Sequence, residues 1–241
     1  MGFAWPLQAE WVLESSTRLS PETASVTSIQ KKVSDGQTIE LRLILFNPKK
    51  CGLRVFENHG GDNLADGMKK NGGLAGVNGN YFGADRSPIG LVICDGKVVH
   101  PLEHAKLLSG LVTVSRDQVS LLRIPEYRPE SKVTQALQAG PFLVDRGVPV
   151  SGLNDTRRAE RTVVLSDGAG HAALLICCAP VTLAEMARIL CSPGILTELH
   201  GVRALNLDGG SSTGLWVKEP PYYRRELKTV ANFLAVCQTS H

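Results

Sequence analysis

One carboxylate followed by bare backbone and hydroxyls ends the run "ALNLDGGSSTGLW" (204–216): Asp208, then Gly209 and Gly210, then Ser211, Ser212 and Thr213. Two readings suit that order. Asp-Gly and Gly-Gly are ordinary turn residues, and on this stretch alone a tight turn is the simpler account. The other is a ligand site, because glycines admit a ligand to the main chain and successive N–H groups over 209–212 make a concavity suited to an anion.

Three further segments set polar side chains beside glycine. "GVNGNYFG" (76–83) ends an apolar run at Asn78-Gly79-Asn80, ahead of Tyr81 and Phe82. It reads either as a hairpin or as two amides able to hydrogen-bond ligand groups beside an aromatic platform. "LQAGPF" (137–142) places Gln138 in an apolar run before Gly140, which predicts a bend and an amide that must find partners. Arg161 opens "RTVVL", either as a solvated edge residue or as a fork for a carboxylate or phosphate. Taken singly, each segment fits plain turn or edge structure better than a site.

Two other patterns are weaker. "HPLEH" (100–104) has the spacing of an inverted zinc-protease motif, which requires both histidines on a long helix. Here it follows a hairpin, Pro101 allows at most a helix start, and strand-like sequence comes after. Glu185 has the chemistry of a catalytic acid, but Thr182-x-x-Glu185 is a capping box and gives it a local role.

The elements that position these residues are mostly short strands. "TIELRLILFN" (38–47) alternates, with Ile39, Leu41, Leu43 and Leu45 on one face. Hairpins are expected over 90–101 around Cys94-Asp95-Gly96, over 110–124, over 140–150 around Asp145-Arg146-Gly147, and over 161–179. Helices are expected within 61–73, where Leu64 and Met68 share a face, and within 181–194, from the Thr182 cap to Pro193-Gly194. Many hairpins with two or three helices make an α+β fold around a largely antiparallel or mixed sheet. No repeat or linker divides the chain.

At 241 residues the chain can bury a sizeable core, and its 43% hydrophobic and 20% charged residues are ordinary for a globular protein. A net charge of +3 without a basic run points away from nucleic acid and membrane surfaces. No apolar stretch is long enough to span a bilayer. "MGFAWPLQAEW" lacks the features of a signal peptide, which fits a cytosolic chain or one whose signal has been removed. The spacing of the six cysteines matches neither a metal cluster nor a small disulfide scaffold, and a disulfide between distant cysteines stays open.

In chain order, "GVNGNYF", "QAGPFLV", "RTVVL", "VTLAEMARIL" and "ALNLDGGSST" resemble the successive motifs of the phosphodiester glycosidase family, over about residues 38–237. Ser211 stands where that family often has a third glycine, Asn80 and Tyr81 where it often has Gly, Thr or Phe, and Pro180-Val181 where it often has Gly-Leu. The resemblance implies residues 1–37 as an N-terminal strand or extension and 38–241 as the glycosidase-like domain, within one structural domain. It also implies hydrolysis of the bond between a sugar's anomeric carbon and a phosphodiester oxygen, with α-N-acetylglucosamine-1-phosphodiesters or phosphate-linked bacterial glycans as substrates. Many relatives are exported or lumenal, so it leans toward an extracytoplasmic location.

Phosphate leaves as a stable anion, so such a reaction needs one carboxylate rather than the pair ordinary glycosidases use. Asp208 is the expected nucleophile or base and Arg161 the phosphate clamp. Gly209, Gly210, Ser211 and Ser212 are the expected anion cradle, and Asn78, Gly79, Asn80, Gln138 and Gly140 the sugar-binding set. No cofactor is required, although Asp208 and the nearby hydroxyls are suitable donors to a divalent metal. Two alternatives remain: a phosphodiesterase that breaks a P–O bond, and a non-catalytic carbohydrate-binding module.

Overall fold

The computed structural model describes residues 10–46, 50–115, 118–129, 132–200 and 202–239. Strands β1 (Val12–Arg18), β2 (Val26–Ser34), β3 (Thr38–Phe46) and β4 (Cys51–Glu57) lead to helix α1 (Leu64–Lys70) and β5 (Gly73–Asn78). Next come β6 (Val92–Cys94), β7 (Lys97–His100), β8 (Gly110–Ser115), β9 (Gln118–Arg123) and β10 (Gln135–Ala139). Then follow β11 (Phe142–Asp145), β12 (Val148–Pro149), β13 (Ala159–Ser166) and β14 (Ala172–Val181). Helix α2 (Leu183–Cys191), β15 (Arg203–Asn206), β16 (Leu215–Val217), β17 (Tyr222–Arg224) and β18 (Asn232–Gln238) complete the order.

These strands form three antiparallel sheets, so the fold is α+β and mostly β. The largest has the order β1-β2-β3-β14-β13-β15-β11-β12, and the two smaller ones run β7-β6-β10-β8-β9 and β17-β16-β5-β18-β4. The central core lies between all three. The large sheet contributes Ile44, Val164, Leu174 and Ile176, β8 and β10 add Val112 and Leu137, and β5 and β18 add Val77 and Leu234. On the far face of the large sheet, Leu41, Leu43, Val163, Leu165 and Leu175 pack under Met186, Ile189 and Leu190 of α2. Its central strands are therefore apolar on both faces, which explains why β14 reads as a continuous hydrophobic run rather than an alternating one. Helix α1 covers the outer face of the third sheet with Leu64 and Met68 against Phe233.

Local sequence determines most of the turns. Asp95 and Gly96 both have positive φ (48° and 79°) between β6 and β7, as do Arg146 and Gly147 (52° and 82°) between β11 and β12, the backbone that two-residue hairpins require. The turn between β8 and β9 lies outside the described residues. Asn63 caps α1, accepting from the Asp66 N–H, and Thr182 and Glu185 form the expected reciprocal capping box on α2. Of the residues expected as an N-terminal strand or extension, 1–9 lie outside the described residues, Val12–Arg18 and Val26–Ser34 form β1 and β2, and β2 pairs with β3 throughout its length. Cys177 lies in the core beneath α2, while its neighbour Cys178 packs on the opposite face of β14; all six cysteines are free thiols. His100 ends β7 and residues 101–104 form no helix, so the inverted zinc-protease spacing has no helical support.

The Asn78-Gly79 hairpin does not form. Strand β5 ends at Asn78 between β16 and β18, and the Gly79 N–H donates to the Asn232 carbonyl (2.9 Å). Glycine is needed there because a Cβ would collide with the Asn232 side chain. Long-range pairing with β18 overrides the local turn preference.

Candidate active site

Asp208 stands two residues beyond β15, where the large sheet and the β5 sheet meet. The Leu207 N–H donates to the Thr162 carbonyl on β13 (2.8 Å), and the Asp208 N–H reaches the Gly79 carbonyl (3.3 Å). The Asn78 side-chain amide donates to the Asp208 carbonyl (2.7 Å). The main chain at the carboxylate is thus held by the ends of strands from both sheets. Residues Gly210–Ser212 then turn as a short 3-10 segment, with Gly210 at φ +62°.

The Asp208 carboxylate accepts the Gly209 N–H (2.9 Å). Burial pushes its pKa above the usual carboxylate range, against the opposing pull of the Ser212 hydroxyl, the Gly209 N–H, Lys228 and Arg157. The Ser212 N–H returns to the Gly209 carbonyl (3.3 Å). Among the described residues the Gly210 and Ser211 amides find no acceptor, so two of the four amides in the expected cradle are open to a ligand.

Around Asp208 is a cavity of about 490 Å³, lined also by Gly209, Gly210, Ser211, Ser212, Tyr81, Phe82, Leu107, Asn154, Arg157, Arg161, Leu183 and Lys228. The pairing of β13 with β14 shifts register between Ala159 and Arg161, with the extra residues on β14, and the Arg161 side chain lines the cavity. Arg161 is buried, with Nε donating to the Val181 carbonyl (2.9 Å) and one Nη to the Arg157 carbonyl (2.7 Å). Nη1 has no acceptor among the described residues. Burial lowers the Arg161 pKa, and the nearby Arg157 charge works in the same direction. Arg157 is exposed and its guanidinium has no carboxylate partner among the described residues. On the other side, the Lys228 ammonium sits 4.8 Å from the centre of the Phe82 ring, while the Leu227 and Lys228 N–H groups hold the Ser211 carbonyl (2.8 and 3.0 Å).

Asp208, Arg161 and residues 209–212 therefore come together as expected from sequence. The expected sugar-binding amides do not line the cavity. Asn78 Oδ1 accepts the Thr162 hydroxyl (2.7 Å) and the Gly214 N–H (3.2 Å). Asn80 exchanges hydrogen bonds with Asn232 through its N–H (3.1 Å) and side-chain oxygen (2.7 Å), and its side-chain amide donates to the Ile89 carbonyl (3.0 Å). Gln138 is fully buried, accepting from the Leu91 and Glu103 N–H groups (2.7 and 3.0 Å) and donating to the Glu103 carbonyl (2.6 Å). The Gly140 carbonyl accepts from the Tyr81 hydroxyl (2.7 Å) and from Asn206 (3.1 Å). These residues form a polar layer behind the wall, and Tyr81 connects that layer to the cavity. Burial, with a contribution from Asp208, pushes the Tyr81 pKa up to about 12, so its hydroxyl stays protonated.

Arg157, Lys228 and Asn154 were not singled out by sequence. "DTRRAER" and "RRELK" look like solvated charged loops, and only the tertiary fold brings them to one cavity. Among the described residues no group of three His, Cys, Asp or Glu side chains is placed to hold a metal ion.

Comparison with known proteins agrees with this fold. The zebrafish N-acetylglucosamine-1-phosphodiester α-N-acetylglucosaminidase catalytic domain, auto-inhibited by its pro-peptide, superposes with a TM-score of 0.67 at 15% identity, covering 95% of this chain and 89% of that one. A hypothetical protein from Synechocystis matches with a TM-score of 0.64 at 17% identity over 92% of this chain, which spans 64% of that protein's length. A Burkholderia pseudomallei protein bearing the name of an exported protein matches at 0.60 and 11% identity, over 83% of this chain and 74% of its own. At these identities the likeness shows the fold. No curated protein matches the sequence. The family model of phosphodiester glycosidase matches residues 71–237, more than half of the chain and inclusive of all five motifs; the chain belongs to the phosphodiester glycosidase family.

Proposed function

We propose that this protein hydrolyses the glycosidic bond of a sugar-1-phosphodiester, with α-N-acetylglucosamine as the first sugar to test. One observation carries the reading: Asp208, the one carboxylate in the cavity among the described residues, shares it with three cations, open N–H groups and hydroxyls, beside an apolar wall of Phe82, Leu107 and Leu183. A pair of carboxyl groups would suit a poor alkoxide leaving group, but phosphate departs as a stable anion and needs charge stabilisation more than a proton. Arg161 Nη1 with the Gly210 and Ser211 amides receives the phosphate oxygens.

Asp208 acts at the anomeric carbon by one of two routes. As base it takes a proton from water while the water oxygen bonds to the anomeric carbon, the carbon–oxygen bond to phosphate breaks, and the phosphate monoester leaves with that electron pair. As nucleophile its own oxygen bonds to the anomeric carbon while the carbon–oxygen bond to phosphate breaks and the phosphate monoester leaves; water then displaces the carboxylate from that carbon and gives up its proton, which frees the sugar and Asp208. Both routes need the ionised carboxylate. Tyr81 and Phe82 give the sugar an aromatic surface. Asn78, Asn80 and Gln138 serve as positioning residues behind the cavity. The family match supports a phosphate-linked sugar substrate, and an extracytoplasmic location fits the exported-protein name of one structural neighbour. Among the described residues no helix is long and apolar enough to cross a membrane.

The test is product analysis in ¹⁸O-labelled water, using the methyl phosphodiester of α-N-acetylglucosamine-1-phosphate. Heavy oxygen in the free sugar beside unlabelled methyl phosphate supports glycosidic cleavage. Label in the phosphate product overturns it in favour of P–O hydrolysis by the same anion-binding groups.

A further inference from the structure

Glutamate is seldom buried unless a cation pairs with it. Glu226 is 5% exposed, and among the described residues no Lys, Arg or His is bonded to it. Its Oε1 accepts the Leu64 N–H at the start of α1 (2.7 Å), and its Oε2 accepts the Tyr223 hydroxyl (3.2 Å). Burying a charge without a counter-charge costs free energy that an uncharged side chain of the same shape avoids. The carboxylate therefore calls for a role besides stability.

The two residues after Glu226 reach the active site. The Leu227 and Lys228 N–H groups hold the Ser211 carbonyl (2.8 and 3.0 Å), and the Lys228 side chain lines the cavity over Phe82. The chain thus leaves the anion cradle at Ser212, runs out through β16 and β17, and returns to grip the cradle from behind. Little else secures the return. Between Arg224 and Val230, Glu226 alone is buried, and Leu227, the apolar residue there, is 80% exposed. The anchor is also closely packed: a Cβ on Gly214 would lie 3.1 Å from Leu64 and 3.3 Å from Glu226.

We propose that Glu226 is a positioning residue of the active site: tied to Leu64 and Tyr223, it anchors residues 225–229 so that Leu227 and Lys228 clamp Ser211 and the Lys228 ammonium enters the cavity. This inference rests on the site proposed above, with residues 209–212 and Lys228 serving an anion, but not on which bond of the phosphodiester breaks. A cradle or ammonium displaced by about 1 Å costs on the order of tenfold or more in rate, although Glu226 touches neither substrate nor reacting atom.

The test is a double-mutant cycle in the full chain: wild type, Glu226→Gln, Lys228→Ala and both together, each measured for kcat/KM on the methyl phosphodiester of α-N-acetylglucosamine-1-phosphate and for Tm. Glu226→Gln should lower kcat/KM about tenfold with Tm within a few degrees of wild type, and the double variant should lose less than the product of the two single losses. A fall in Tm with kcat/KM unchanged overturns the proposal, because Glu226 would then be structural only. Losses that multiply overturn it too, because Glu226 would then act independently of Lys228. Should Glu226→Gln fail to fold, Tyr223→Phe decides: it removes one of the two hydrogen bonds and should lower kcat/KM about threefold, whereas an unchanged value overturns the proposal. If no protein turns this sugar over, the glycosidase reading on it fails separately, and calorimetric titration with inorganic phosphate takes the place of kcat/KM. Binding about tenfold weaker in Glu226→Gln than in wild type then upholds the positioning role, and equal binding, or none in either protein, overturns it.

Discussion

The two ends of β15 treat charge in opposite ways. At its start, Arg203 holds both Glu126 oxygens (2.6 and 2.8 Å) and Asp145 (2.9 Å), and Arg123 holds the other Asp145 oxygen (2.8 Å). Every carboxylate there has an arginine, both arginines lie against the Phe142 ring, and the Glu126 pKa is pulled down to about 2 by Arg203 first of all. Just past its end, Asp208 has no arginine bonded to it and burial pushes its pKa upward. Arg161, Arg157 and Lys228 face the same cavity without carboxylate partners among the described residues. A charge cluster complete in itself contributes to folding and has nothing left to offer a ligand. An incomplete one gives up stability to keep donors and a carboxylate free, the usual trade at an active site.

The sharpest break in this contrast is Asp208→Asn. It should lower kcat/KM on the order of 10³-fold or more, as loss of a nucleophile or base does. Because a buried carboxylate with a raised pKa is less stable ionised than neutral, the same variant should unfold at or above the wild-type temperature, which calorimetry checks. Next in size is Arg161→Lys, which keeps the charge but loses the fork that spans the Val181 and Arg157 carbonyls and a ligand. It should cost about 10- to 100-fold in kcat/KM. Arg203→Gln is the converse. It should lower stability by about 1–2 kcal/mol, seen as a fall of a few degrees in Tm, and leave kcat/KM within about twofold.

The smallest effect is on pH. Asp208 must be ionised, so the acid limb of the kcat/KM profile should lie above the ordinary aspartate pKa. Removing the cation in Lys228→Ala should move that limb higher still. For Glu126 the sign is opposite. Its lowered pKa contributes stability that is present above the unfolded glutamate value and lost as pH falls toward about 2. Activity should therefore fade before this cluster yields, and acid inactivation in that interval should reverse on neutralisation, with circular dichroism unchanged.

How much of this was legible in the sequence follows the range of the interactions. The Asp95-Gly96 and Arg146-Gly147 turns and the Thr182 cap depend on a few neighbouring residues, and they formed where expected. Asp208 and the Gly209–Ser212 turn were singled out because carboxylate, glycine and hydroxyl residues are adjacent in the chain, and Arg161 because it opens one of the motifs that resemble the family. Asn78 and Asn80 misled in their location, because a buried amide and a ligand-binding amide look alike in a string of letters. What separates them is Asn232, more than 150 positions away, whose side chain pairs with Asn80 in both directions. Arg157 and Lys228 were illegible for the same reason: each reads as a solvated loop charge until the two sheets close around one cavity.

The most direct measurement is a crystal structure of the Asp208→Asn protein with an uncleaved sugar-1-phosphodiester. The anomeric carbon should lie about 3–3.5 Å from the side chain at position 208 or from a water bound to it, with the phosphate on Arg161 and the Gly210 and Ser211 amides. Phosphorus rather than carbon facing position 208, or a ligand seated away from Arg161, would contradict glycosidic hydrolysis at this site.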